Sequence, residues 1–413
     1  MRKSFIIIFS LIFIFPITSQ AEQSSPSIKV AFVRDGYLWI KADNKEIKLS
    51  KQKSKYPVPP QWSHDGKMLL YQKETKGLDT VPQYELWVYD FNTNKHQKVF
   101  YNAQNPKWSP KENIIAFQSD GVLNVSDLKT FYNIALGVSD YEWQPDGKGF
   151  IASSSASLTP LGWSNPVLYT ISIADGYKNI TNLSKNVKEF FTIPKELTKG
   201  KVNILSINAN SFAYSPDHKW ISFILSPTAS WSMDSNMLCV ISANGKELQP
   251  IDEIILHLDR PQWADNKNLL GYIAGGGRVV FGFKNKKMKV SELPAYQTLT
   301  LTPPKFAELG FTWVNDSQVI VSRVKESEWS NDPAKRPEPS LYALDLSGQK
   351  QIKITFPPMG KGDYQPKYVP IANKITWIRK SDLTSKGDLL MANLNGHGVK
   401  LWVKNIGPYS IFR

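Results

Sequence analysis

Residues 59–100 read PPQWSHDGKMLLYQKETKGLDTVPQYELWVYDFNTNKHQKVF. A Pro-Gln-Trp-Ser start leads into an Asp65-Gly66 turn. An apolar run follows, Met68 to Tyr71, and then a polar loop. The alternating run Glu85 to Asp90 comes next, then the polar turn Asn92 to Lys95, then a short run ending at Val99. Side chains alternate across a strand, and Asp-Gly and Asn-rich tetrads favour tight turns. The stretch therefore predicts four short strands.

The same unit recurs along the chain. Its marker aromatic is Trp62, Trp108, Trp143, Tyr214, Trp263, Trp313 and Tyr368 in turn. Four strands per repeat at this period predict an all-β fold, a single β-propeller. The run from Ile28 to Ser50 supplies strands two to four of a unit and has no marker-aromatic strand. The final IGPYSIFR, residues 406–413, resembles that missing strand. Strands from both ends are therefore expected to close the ring, which leaves only short, protected strand edges. The count is eight four-stranded blades. Seven is the alternative, because the Trp108 and Trp263 units are short. The expected spans are 28–50 with 405–413, then 58–100, 104–136, 139–182, 209–250, 259–292, 307–355 and 363–404. Leu183 to Asn208 interrupts the repeat as the largest insertion, and Leu293 to Lys305 reads as a crossing segment.

Residues 1–21 carry Arg2 and Lys3, an apolar run from Phe5 to Phe15, and Ser19-Gln20-Ala21. That pattern predicts a secretory signal peptide, with a retained anchor as the alternative. A propeller over 28–413 outside the cytoplasm, secreted or cell-wall associated, is the expectation. Cys239 is the single cysteine, so no internal disulfide framework exists. The net charge of +14 suggests an anionic partner such as an envelope polymer or lipid headgroup. Nucleic acid is disfavoured, since the basic residues are dispersed.

Blade topology places the a–b and c–d turns on one face and the b–c loops and d–a crossings on the other. Every long loop falls on the second face, where a rigid scaffold carries function. Three of these loops place a Trp-Ser beside Asn or Asp: Trp163 with Asn165, Trp231 with Asp234, and Trp329 with Asp332. Trp offers a large rigid face and one donor, which suits a sugar ring or a protein partner. The alternative is that each Trp folds inward as its loop's local core.

Motifs for catalysis are scarce. The chain has no Gly-x-Ser-x-Gly elbow, no His-Glu-x-x-His and no phosphate loop. No Asp-x-Asp-x-Asp run suits calcium. No catalytic residue, metal ligand or cofactor is assigned. Acidic side chains meeting at a channel mouth would support a glycan-active hydrolase instead.

Pro60-Gln-Trp62-Ser-His-Asp-Gly, Pro106-Lys-Trp108-Ser-Pro and Tyr214-Ser-Pro-Asp, each with a later Leu-Trp-Val-Tyr-Asp-like strand, resemble the WD40-like repeat of TolB-type propellers. The resemblance spans nearly all of residues 28–413, without the α/β domain that precedes the propeller in TolB. A similar propeller accompanies hydrolase domains in prolyl-oligopeptidase-like enzymes, and no such domain is expected after Arg413. The resemblance implies a secreted interaction scaffold, and the expectation is a non-enzymatic, monomeric propeller that binds a protein or cell-envelope polymer through the long-loop face.

Overall fold

The computed structural model describes residues 28–42, 45–77, 81–347 and 350–412. The expected signal peptide, residues 1–21, lies outside the described residues. Eight four-stranded antiparallel sheets form the fold. We letter their strands a to d. The a strands of neighbouring blades touch, so they stand at the centre of the ring.

Blade 1 takes strand a from Tyr409–Ile411 and strands b to d from Lys29–Arg34, Tyr37–Ala42 and Lys45–Lys48. Val30 pairs with Ile411 and Phe32 with Tyr409. Both ends of the described chain thus meet in one sheet. The remaining a strands are Gln61–Trp62, Gln104–Trp108, Asp140–Trp143, Asn208–Tyr214, Gln262–Trp263, Phe306–Asn315 and Gly362–Val369. The short Trp108 and Trp263 units each form a complete blade, so the count is eight.

Two outer strands lie beyond their expected places. Strand d of blade 4 is Val187–Thr192, past the expected end at 182. The rest of that insertion is a ribbon, in which Glu196–Lys199 pairs with Val202–Leu205. Strand d of blade 6 is Gln297–Thr300, inside the stretch read as a crossing. The cause is solvent. An outermost strand has little apolar surface to bury, so its alternation is weak, and every residue of Gln297–Thr300 is exposed.

The core lies between blades. Val30 and Phe32 of blade 1 pack with Trp402, Val403 and Ile406 of blade 8. Phe223 and Cys239 of blade 5 pack with Ile151 and Leu168 of blade 4. Trp377 of blade 8, wholly buried, packs with Ile320 and Leu341 of blade 7. Each apolar side chain so buried contributes about 1.5–3 kcal/mol.

The marker tryptophans do more than fill these seams. Each indole N–H donates to an a-strand carbonyl of the preceding blade. Trp62 bonds Ser410 O at 3.3 Å, Trp108 bonds Gln61 O at 3.1 Å and Trp143 bonds Lys107 O at 3.3 Å. Trp263 bonds Ala213 O at 3.2 Å, and Trp313 bonds Gln262 O at 2.9 Å. In the last four cases the acceptor is the residue just before the preceding blade's own marker. An innermost strand has one edge without a strand partner, and the indole satisfies a carbonyl on that edge.

Two of the a–b turns, in blades 2 and 5, are clasped by a serine and an aspartate. Ser63 Oγ donates to Asp65 Oδ1 at 2.7 Å and accepts from Met68 N at 2.9 Å. Ser215, Asp217 and Trp220 repeat the arrangement. Gly66 is required at its turn: φ is +65°, and a Cβ there would sit 2.6 Å from the Phe412 ring.

The Trp108→Phe protein keeps a smaller aromatic ring at the seam and loses the staple to blade 2. Its unfolding free energy is expected to drop by at least about 1 kcal/mol, the usual worth of one such bond, with lost packing added to it. Denaturant titration with an unchanged m-value checks this. A drop below about 0.3 kcal/mol would show that the staple adds nothing to the packing.

Candidate functional site: the central channel

Strand a decides what faces the middle of the ring. The marker aromatic turns into an inter-blade seam, so the residue before it turns the other way. Those residues include Gln61, Lys107, Gln262 and Lys367. Gln61 Nε2 donates to Pro106 O of the next blade at 2.9 Å. Lys107 Nζ donates to Tyr141 O and lies 2.9 Å from Glu142 Oε2.

Two adjoining chambers of about 730 Å³ each occupy this space. The first is lined by Gln61, Trp62, Asn105, Lys107, Arg260, Lys367, Tyr409 and Phe412, among others. These residues come from blades 1, 2, 3 and 8 and from the crossing into blade 6. Blades 2 and 6 are opposite in a ring of eight, so the chamber spans the centre. The second chamber shares Pro59, Lys367 and Tyr409 with the first and adds Asp259, Gln365, Lys380 and Lys386.

The electrostatics are uneven. The first chamber is lined by three cations, Lys107, Arg260 and Lys367, and by no carboxylate. Arg260 is exposed and makes neither a hydrogen bond nor an ion pair among the described residues. Lys367 Nζ sits 4.1 Å from the Tyr409 ring centroid. Tyr409 is buried, and its hydroxyl has no hydrogen-bond partner among the described residues. Burial and then the charge of Asp259 push that phenol far above its ordinary range.

Asp259 is the acid of the second chamber. Burial pushes its carboxyl up to about 6, against the pull of the Phe311 N–H (2.8 Å) and of Lys367. The other enclosed carboxylates hold their own blades together. Asp363 takes Arg379 through both oxygens, at 2.7 and 2.8 Å. Glu308 takes Arg323 Nε at 2.7 Å and the Thr302 hydroxyl at 2.9 Å.

The six residues expected from the sequence lie on the loop face, and none lines either chamber. Trp163 pairs with Leu158 in a short ribbon and is half-buried. Asn165 Nδ2 donates to Ile193 O at 2.7 Å. Trp231 lies in the one-turn helix Ala229–Ser232 and is 62% exposed. Asp234 holds Arg278 at 2.6 and 2.9 Å. Trp329 stacks on Phe283 at 5.8 Å with Arg336 over it at 3.9 Å. Asp332 caps a 3-10 turn by accepting from Ala334 N. The structure does not gather these residues into one cavity. The signal that the sequence reading missed was the position before each marker, where Lys107 and Lys367 stand.

Among the described residues no serine hydroxyl bonds a histidine ring; the His96 ring meets Tyr71 Oη at 2.8 Å and Leu49 O at 3.1 Å. No group of three His, Cys, Asp or Glu among the described residues is placed to hold a metal ion. No helix among them is long and apolar enough to cross a membrane.

No protein-family model matches the chain, and no curated protein matches it. Solved structures do match. A puromycin-hydrolyzing peptidase of Mycobacterium tuberculosis superposes with a TM-score of 0.52 at 12% identity, over 86% of this chain and 54% of that one. Dipeptidyl peptidase 4 of Porphyromonas gingivalis gives 0.56 at 12% identity, over 91% and 59%. A eukaryotic initiation factor gives 0.57 at 13% identity, over 94% and 91%. This chain thus spans little more than half the length of either peptidase. TolB of Acinetobacter baumannii is also similar, at 12% identity over 93% and 66%, with a TM-score of 0.36. At such identities the likeness is one of fold. The expected non-enzymatic scaffold, binding a protein or envelope polymer through its loop face, is therefore corrected. Several of the similar structures are peptidases, and the score to TolB is too low to support that reading.

Asp259 gives a pH test. A carboxyl raised from 3.8 to about 6 keeps its proton in the folded ring at pH values where the unfolded chain has lost it. The folded state binds more protons across that window, so this group's contribution to stability falls as pH rises from 3.8 to about 6. Thermal melts of the wild type and Asp259→Asn are expected to diverge across the window, the wild type losing ground. Parallel curves would show Asp259 ionising normally.

Proposed function

We propose that this chain is a peptidase-related propeller that receives a short peptide in its central channel. The observation that carries the reading is the first chamber, where Arg260 from one side of the ring shares a space with Gln61, Lys107 and Lys367 from other blades. The chamber's side-chain N–H groups come from several blades. A peptide presents the complement: backbone carbonyls along its length and a carboxylate at its end. The likeness to two peptidases, one puromycin-hydrolyzing and one a dipeptidyl peptidase, supports peptide handling. The ring's part in such chemistry is to admit and orient the peptide. The sequence of residues 1–21 supports a site of action outside the cytoplasm.

Calorimetric titration with tri- to hexapeptides tests the reading, beside an assay for release of amines from dipeptidyl amides. Micromolar to millimolar binding is expected, with a one-to-one stoichiometry. A folded protein that binds none of these peptides would overturn it.

A further inference from the structure

We propose that the first chamber is a carboxylate site that takes the C-terminal end of a peptide whose last side chain is apolar. The inference rests on the peptide-channel reading above and names the part of the peptide that is recognised.

Three observations carry it. First, the chamber collects three cations and no carboxylate on its lining. Lys107 is tied to Glu142, which lies outside that lining, and Lys367 lies over Tyr409. Arg260 has no such anchor and presents a planar fork of donors, the shape that takes a carboxylate through two parallel bonds. Second, the Tyr409 hydroxyl is buried at the wall of both chambers with no partner among the described residues. A buried hydroxyl without a partner is costly, and a ligand oxygen is one way to supply it. Third, the lining has an apolar part, Val58, Pro59, Pro60, Trp62, Ile411 and Phe412, beside uncharged polar groups such as Gln61, Ser63, Gln72 and Asn105. A free inorganic anion has no use for that wall, whereas a carboxylate carrying an aliphatic side chain fills both halves.

The acid nearby sharpens the orientation. Asp259 lines the second chamber and not the first. A peptide that directs its carboxylate toward Arg260 thereby keeps its negative end out of the chamber that holds the carboxyl.

The test uses N-acetyl-Ala-Ala-Leu as the free acid, the same peptide as the carboxamide, and sodium acetate, each titrated calorimetrically into the full chain. The free acid is expected to bind about tenfold more tightly than the amide, the usual worth of a charge-assisted bond. Acetate alone is expected to bind far more weakly than either peptide. Arg260 is exposed and has no partner to lose, so Arg260→Gln is expected to keep the wild-type melting temperature and bring the acid down to the level of the amide. Acid and amide binding alike would overturn the carboxylate site while leaving the peptide channel standing. An undiminished preference in Arg260→Gln would overturn the assignment to this chamber. Binding of acetate as tightly as the peptide acid would overturn the role of the apolar wall. No binding by either peptide would overturn this inference together with the channel reading.

Discussion

The bond from a marker indole to a carbonyl of the preceding blade is the constraint on which the ring depends. Sheets standing radially around an axis share apolar seams, but packing alone is indifferent to small slips along the axis. A directional bond at each seam fixes the height of one innermost strand against the next. Five of the seams described have it, from Trp62, Trp108, Trp143, Trp263 and Trp313. The two units marked by tyrosine solve the problem differently. Tyr368 takes its backbone N–H to Thr312 Oγ1 of blade 7, and Ser211 of blade 5 takes its own to Asp140 of blade 4. Each is again a polar bond across a seam at the innermost strand.

The same constraint explains what was legible in the sequence. Trp at a fixed place in a repeat is visible because five of the seams make the same demand of it. The spacing of Trp62, Trp108 and Trp143 was enough to infer a propeller, and the missing strand before Lys29 was enough to infer closure by the final residues. Blades 4 and 6 show where legibility stops. Glu189 and Lys188 on one outer strand, and Gln297 and Thr298 on the other, face solvent, where almost any polar residue serves. Nothing in the seam selects them, so no repeat records them.

The channel was illegible for a different reason. A site built by a ring takes one residue from each of several blades, and those residues are far apart in the chain. Lys107, Arg260 and Lys367 share no motif and no local spacing. What they share is a place beside or shortly before a marker, and that place acquires meaning only once the ring has closed. The loop tryptophans drew attention because they stand outside the repeat. Trp329 is spent on Phe283 and Arg336, and Trp163 on a ribbon of its own loop. Trp231 stays exposed, and all three lie on the loop face, away from the channel wall.

Blade 1 joins Lys29–Arg34 to Tyr409–Ile411, a pairing across almost the whole described chain. Every other blade draws its four strands from one continuous stretch. Seven sheets are therefore local in sequence, each burying its apolar faces against a neighbouring blade, whereas the eighth joins two distant segments. Loop-closure entropy grows with the length enclosed, so this pairing is the slowest to find by search and the easiest to find once its neighbours have drawn the ends together. The order of events is thereby built into the topology: an open crescent first, a sealed ring last. The channel has no wall on that side until Tyr409 docks beside Phe32. A ring in which that strand has not docked keeps an open side to its channel, whatever the other seven blades have achieved.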